Sequence, residues 1–362
     1  MEQEPAVSYA EPRLKIALYH CRLPQLGSKP GGVQVFVDRL AIALQERGHT
    51  VTAFTFAPPT EARPYAVRVL RPRRAADSKF LRQYVAPWLF NARPFGARFD
   101  VAHLHGDDWF YLRRRVPTVR TFYGSALMEA LTATSLRRKL NQSILFGLEQ
   151  LARARADAVY GIGPDSQMLY RADGILGCGV PEPDDPASPD PVPTILFVGT
   201  WEGRKRGSLL HRVFHEQVRP IIGNARLVMV SDFAEEGEGV TWLPHPTDVE
   251  LAELYRRAWA FCLPSSYEGF GIPYLEALAN GLPVVATPNP GANQILDAGR
   301  YGLIVNPEDL GQTLLRALTD DALRSRLSIA ANERMQSYSW DRLIIEYEGA
   351  YDLAIRRFRA RR

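Results

Sequence analysis

Residues 179–193 read GVPEPDDPASPDPVP, with almost no apolar side chain and six prolines in fifteen positions. Proline removes amide donors and fixes φ, so this run can supply neither a central strand nor a buried helix face. On each side of the break the chain repeats one local pattern. Before it, RLKIALYH (Arg13–His20) reads as a short buried strand, and PGGVQ (Pro30–Gln34) as a glycine turn. Val35, Leu40, Ala43 and Leu44 then recur near helical spacing, Gly48 stands where a C′ glycine ends a helix, and TVTAFTF is a second strand. Strand, turn, helix and strand in that order make a crossover unit, which places the two strands parallel. FDVAHLHG (Phe99–Gly106), VPTVRTFYG (Val116–Gly124) and ADAVYGIG (Ala156–Gly163) add strands, with a helix over roughly 134–155. After the break, TILFVGT, RLVMVSD, AFCLPS and LPVVAT read as strands, with helices over Gly207–Val218, Asp248–Ala258 and Pro273–Ala279. The expected fold class is α/β: two domains with parallel sheets, residues 1–180 and 194–340, joined by a linker at 181–193. SWDRLIIEYEGAYDLAIRRFRARR predicts a long amphipathic helix over 341–362, with Leu343, Ile344, Tyr347, Tyr351 and Leu353 on its apolar face. Ser339 is its expected N-cap and Asp341 its first-turn acid.

Bulk properties exclude several classes. The 362 residues are 46% hydrophobic and 23% charged, the composition of a globular protein. No apolar run approaches the ~20 residues of a membrane-spanning helix. The N-terminus MEQEPAVSYAEPRLK carries acids and no apolar export segment. Cys21, Cys178 and Cys262 are far apart, with neither metal-site spacing nor a disulfide framework, so the expected location is the reducing cytoplasm. The net charge of +4 combines a Lys/Arg excess in residues 1–180 with an Asp/Glu excess in residues 181–362. Either the first domain meets something anionic, or a basic bias is spread over a solvated face. RPRRAADSKFLRQYVAPWLFNARPFGAR (Arg71–Arg98) interleaves cations with Phe80, Leu81, Tyr84, Val85, Trp88, Leu89 and Phe90. It reads as an interfacial patch for a lipid-linked acceptor or an anionic membrane surface at the inner face, or as a packing stripe. No nucleic-acid reading module accompanies these cations.

Three stretches carry candidate chemistry. SYEGFGIPYLE (Ser266–Glu276) sets Glu268 and Glu276 on either side of a glycine turn, with Pro273 suited to a first helical turn. Free amides at a helix start form an anion site. The carboxylates suit hydroxyl donors such as a sugar or ribose, or are a solvated turn acid and a first-turn acid. FVGTWEGRKRG (Phe197–Gly207) brings Arg204, Lys205 and Arg206 to a sheet edge, where cations neutralise a diphosphate leaving group or merely face solvent. PGGVQ permits close backbone approach, with neither a dinucleotide fingerprint nor a phosphate-loop lysine. With no Asp-x-Asp pair and no His/Cys cluster, neither a metal nor a cofactor is expected.

Together GGVQVFVDRLAIALQERGHTV, FVGTWEGRKRG and SSYEGFGIPYLEALANGLPVVATPNPG resemble landmarks of the GT4-type retaining glycosyltransferases, from Arg13 to about Tyr351. The resemblance implies the GT-B fold: two Rossmann-like domains facing across a cleft, an acceptor domain and a donor domain, the last helix crossing back to the first. It implies a nucleotide-diphosphate sugar as donor and a glycan, lipid-linked or small-molecule acceptor on the first domain. Glu268 then contacts the donor sugar and Glu276 the ribose. Amides of Gly269, Phe270, Gly271 and Ile272 serve sugar and diphosphate, and Gly32 closes from the other domain. Arg204, Lys205 and Arg206 hold the diphosphate beside Gly199 and Thr200. Thr200 stands where the family has arginine, and Tyr123, in TFYG, where it has a histidine near the reacting sugar. His103 and His105 are candidate substitutes for that histidine. His105, Asp107, Asp108 and Trp109 are candidate acceptor-side residues. The implied reaction is hexosyl transfer by metal-independent, front-face retention. The competing readings are an epimerase or phosphorylase on a related fold, and a nucleotide-sugar-binding subunit without activity.

Overall fold

The computed structural model describes residues 13–25, 31–91, 95, 98–111, 115–132, 135–181, 183 and 185–362. The N-terminal stretch before Arg13, Pro30 of the glycine turn, and the patch or loop residues Ala92–Pro94, Gly96, Ala97 and Leu112–Arg114 lie outside them.

Among the described residues thirteen strands form two sheets. The first holds β1 (Lys15–Tyr19), β2 (Thr50–Thr55), β3 (Ala66–Val69), β4 (Val101–Leu104), β5 (Thr118–Phe122), β6 (Ala158–Gly161) and β7 (Gly174–Ile175). The second holds β8 (Thr194–Val198), β9 (Arg226–Val230), β10 (Val240–Leu243), β11 (Ala260–Leu263), β12 (Val284–Ala286) and β13 (Leu303–Ile304). Their orders are β3-β2-β1-β4-β5-β6-β7 and β10-β9-β8-β11-β12-β13, and neighbouring strands are parallel throughout. Each sheet reverses its winding once, between β1 and β4 and between β8 and β11. A ligand crevice opens beyond the carboxyl ends of strands at such a reversal.

The central strands β4, β5 and β11 are buried along their whole length, because helices cover both faces of a parallel sheet. The helix Gly32–Glu46 packs Phe36, Leu40 and Leu44 at four-residue spacing, each at most 1% exposed. It ends as expected: Gly48 takes φ +101°, and His49 N–H closes onto the Leu44 carbonyl at 3.1 Å. The predicted helix over Gly207–Val218 is α-helical to Val213 and finishes in one wide turn, Phe214–Val218.

The terminal helix Trp340–Ala360 returns to the first sheet. The Tyr347 hydroxyl donates to the Gly177 carbonyl at 2.8 Å, Arg357 pairs with Asp173 at 2.8 Å, and Arg361 with Asp157 at 3.0 Å. Ser339 holds the N-cap position, but its hydroxyl turns back to the Gln336 carbonyl at 3.4 Å instead of capping the helix. The Arg71–Arg98 stretch divides. Phe90 is fully buried and stacks on Tyr19 at 3.7 Å between centroids, a packing role, while Phe80 and Trp88 are each 65% exposed. Among the described residues no helix is long and apolar enough to cross a membrane.

Candidate active site

The turn after β11 is built from beneath. The Ser265 carbonyl accepts from the Thr287 hydroxyl at 2.8 Å and from Asn289 Nδ2 at 3.2 Å, and Gly291 N–H bonds the Glu268 carbonyl at 2.8 Å. Gly271 then turns the chain into the helix Ile272–Ala279 with φ +93° and ψ 57°. A Cβ at Gly271 would stand 2.5 Å from the Tyr274 ring, so sterics and backbone conformation both demand glycine. Within the described residues none of the amides of Gly269, Phe270, Gly271 and Ile272 has a hydrogen-bond acceptor. Free donors at a helix start leave a place for an anion.

Glu268 is 5% exposed and fully engaged. The Ser265 hydroxyl donates to its Oε1 at 3.0 Å, Arg204 Nη1 lies 2.6 Å from its Oε2, and Lys205 Nζ is 4.0 Å from Oε1. Arg204 also donates to the Tyr267 carbonyl at 2.8 Å, and its own carbonyl accepts Ser266 N–H at 2.8 Å. The GRKRG turn and the EGFG turn are thus one assembly, with cations and carboxylate at its centre. Arg206 adopts a left-handed backbone, φ 53° and ψ 45°, uncommon for a side-chain-bearing residue, and has no ion-pair partner among the described residues. Gly199 continues the β8–β9 ladder through its amide to the Val230 carbonyl at 2.9 Å. The Thr200 hydroxyl bonds the Glu202 carbonyl at 2.9 Å, a local turn contact.

Glu276 is the fifth residue of its helix, so it lies past the first turn where the sequence reading put it. Its Oε1 is 3.1 Å from Arg39 Nη2 and its Oε2 accepts from the Tyr255 hydroxyl at 3.2 Å. Burial and the adjacent carboxylate hold the Tyr255 phenol protonated, its pKa well above the ordinary value. Arg39 belongs to the helix that opens at Gly32, so the ion pair bridges the two domains. A Cβ on Gly32 would be 3.7 Å from the Ile272 side chain, and one on Gly163 would strike the Gly269 carbonyl at 2.7 Å. The glycine turns of the first domain therefore abut the donor-side turn.

Opposite lies Tyr123, at the carboxyl end of β5. Its hydroxyl is 2.6 Å from His105 Nδ1, and its ring meets Phe36 edge-on at 5.0 Å. Burial raises the Tyr123 pKa well above its usual value, so the phenol keeps its proton and donates. Burial, then His103 and His20, lower His105 well below the ordinary histidine range, so the ring is neutral. Accepting at Nδ1 leaves the proton on Nε2, which is buried with no partner among the described residues. His103 has no such freedom: its nitrogens meet the Tyr351 hydroxyl at 3.1 Å and Thr121 Oγ1 at 2.8 Å. Asp107 has φ 53°, and burial raises its carboxyl to about 6, against the pull of Arg82 and Arg120.

Two acceptor-side candidates point elsewhere. Asp108 is buried in an ion pair with the equally buried Arg120. Trp109 is 7% exposed and donates its indole N–H to the Gln83 carbonyl at 2.9 Å. Both are held in the core of the first domain, because Arg120 on β5 needs a counterion there. Arg39, Tyr255 and Ser265 were not singled out by the sequence. Arg39 carries no local signal, since its partner is 237 positions away. Ser265 precedes Glu268 by three residues, the one spacing that could have flagged it. Among the described residues no group of three His, Cys, Asp or Glu side chains converges as metal ligands.

Two family profiles match the chain, Glycosyltransferase Family 4 over residues 30–175 and Glycosyl transferases group 1 over residues 182–334. A phosphatidyl-myo-inositol mannosyltransferase of Mycobacterium leprae is 26% identical over 86% of this chain and 90% of its own. Sucrose-phosphate synthase of Thermosynechococcus elongatus superposes with TM-score 0.75 at 21% identity, covering 94% of this chain and 98% of its own. HepE of Anabaena, solved with UDP-glucose, gives 0.65 at 15% identity, covering 91% and 97%. One profile falls on each sheet and the solved relatives share the fold nearly end to end: the chain belongs to the GT4-type glycosyltransferases and has the GT-B fold.

Proposed function

We propose that this glycosyltransferase moves a hexose-type sugar from a nucleotide-diphosphate sugar to an acceptor hydroxyl, with retention and without a metal. The observation that carries the reading is the joined assembly of Arg204, Lys205 and Glu268 beside the unpaired amides of Gly269–Ile272. Cations and amides suit a diphosphate, and a buried carboxylate beside them suits sugar hydroxyls. The Anabaena relative's UDP-glucose agrees in kind. In the proposed step the acceptor hydroxyl attacks from the side the diphosphate leaves, and a phosphate oxygen takes its proton. Arg204, Lys205 and Arg206 stabilise the departing charge, and Glu268 orients the sugar. Tyr123 and His105 line the acceptor side as a neutral hydrogen-bonding pair.

The test is turnover. Purified protein is incubated with a panel of nucleotide sugars, with and without glycan, glycolipid and small polyol acceptors. Nucleotide release and the anomeric configuration of the product are measured. Retention is expected, and the rate should persist in EDTA, since side-chain cations carry the diphosphate charge. Nucleotide binding with no release under any acceptor would favour a binding subunit instead.

We also propose that the first domain rests on an anionic, cytoplasm-facing membrane surface. Leu136, Leu140 and Ile144 stand exposed at four-residue spacing on the helix Leu136–Arg155, beside exposed Arg137, Arg138 and Lys139. The Tyr84–Asn141 hydrogen bond, 2.8 Å, ties that helix to the segment bearing Phe80 and Trp88. Apolar side chains flanked by cations fit a charged bilayer surface. The protein should co-sediment with phosphatidylglycerol vesicles and not with phosphatidylcholine vesicles, and leave them as salt rises. Equal failure with both would remove the membrane from the reading.

A further inference from the structure

We infer that Arg39, from the first domain, reads the ribose of the donor nucleotide together with Glu276. This rests on the nucleotide-sugar reading above and adds a residue from the opposite side of the cleft. Arg39 and Glu276 are both largely buried, with side chains 22% and 17% exposed. Their contact is single-pronged. Nη2 meets Oε1 at 3.1 Å, while Nη1 is buried and has no hydrogen-bond partner among the described residues. The Tyr255 hydroxyl takes one lone pair of Oε2. Each carboxylate oxygen has two lone pairs, so Glu276 keeps acceptor capacity beside the unused guanidinium donor.

An unsatisfied buried donor is costly, and it stands next to a carboxylate that can still accept. The group that completes both at once must donate and accept from adjacent atoms. A vicinal diol does this: one hydroxyl donates to Glu276, and a hydroxyl oxygen accepts from Arg39 Nη1. A ribose carries such a diol and a 2′-deoxyribose does not. The abutment of Gly32 on Ile272 holds the start of the Arg39 helix against the Glu276 helix, so the pair is set by the closed packing of the two domains. Arg39 is accordingly a positioning and specificity residue, remote from the reacting sugar.

The experiment is calorimetric titration with UDP, GDP and ADP and with their 2′-deoxy counterparts. Wild type, Arg39→Gln, Arg39→Lys and Glu276→Gln are compared, with melting curves confirming that each variant is folded. The tightest ribonucleotide should bind wild type about tenfold better than its deoxy form, the scale of one or two hydrogen bonds. Arg39→Gln should lose most of that preference, weakening the ribonucleotide about tenfold and the deoxy form little. Arg39→Lys should recover part of it. In turnover, donor KM should rise while kcat is held. A ribo-to-deoxy ratio unchanged by Arg39→Gln, or a tightened ribonucleotide, would overturn the inference and leave the donor reading intact. Failure of wild type to bind any of the six nucleotides would overturn both.

Discussion

Glu268→Gln is expected to lower the rate of sugar transfer by about 10²–10³-fold, the scale of losing one preorganised electrostatic contact in a transition state. The affinity for the nucleoside diphosphate alone should change little, because that ligand lacks the sugar. The geometry supports a clean result. Glutamine keeps the shape and can still accept from Ser265, while Arg204, whose side chain is 51% exposed, can turn to water once its counterion is gone. Arg204 is therefore not stranded and Lys205 loses only a 4.0 Å contact, so the fold should survive and the lost rate should reflect chemistry. Glu276→Gln should do the reverse, weakening the nucleotide about tenfold, in line with lost hydrogen bonds to a hydroxyl pair. The check is steady-state kinetics beside calorimetric binding for both variants. Equal losses of nucleotide affinity in the two would contradict the division of roles. A Glu268→Gln enzyme with wild-type turnover would remove Glu268 from the reaction.

What could be read in advance follows from how each feature is encoded. The central strands β4, β5 and β11 are buried on both faces, and β11 (AFCL) appears in the chain as an unbroken apolar run, while β4 and β5 carry the buried polar residues His103 and Arg120 within theirs. Edge strands β3 and β10 are half exposed, their sequences AVRV and VTWL are mixed, and neither was anticipated. The glycine turns were legible because positive φ and close approach leave few other residues, as at Gly271. Glu268 and the GRKRG cations were legible as residue types in a turn, but their mutual ion pair was not, since 64 positions separate Arg204 from Glu268. Pairing across the cleft, as between Arg39 and Glu276, is a property of domain placement and leaves no local trace. Asp108 and Trp109 are ambiguous in sequence for a related reason. An acid and an indole after a strand look the same in sequence whether they face a sugar or a buried arginine.

Arg120→Met should remove about 3–5 kcal/mol from the stability of the first domain, the cost of breaking a buried ion pair from one side. Arg120 is 1% exposed on β5, paired with Asp108 and stacked over Trp109 at 5.1 Å and Phe122 at 4.6 Å. Burial lowers its pKa to about 10, with Glu149 the first of the groups opposing that shift, so it remains charged at neutral pH. Methionine fills much of the volume and keeps contact with the rings, but leaves the Asp108 carboxylate buried without a counterion. Melting of the first domain should therefore fall by roughly 10 °C. The double variant Asp108→Leu/Arg120→Met should regain much of the loss, because an apolar pair needs no counterion. Calorimetric melting of the two single variants and the double variant tests the coupling directly. The same proteins decide what Asp108 does. Were Asp108 a sugar-gripping residue, the double variant would be stable yet have a sharply raised acceptor KM. The buried pairing predicts the opposite: the single variants are unstable, and the double variant, assayed well below its melting transition, handles the acceptor as wild type does.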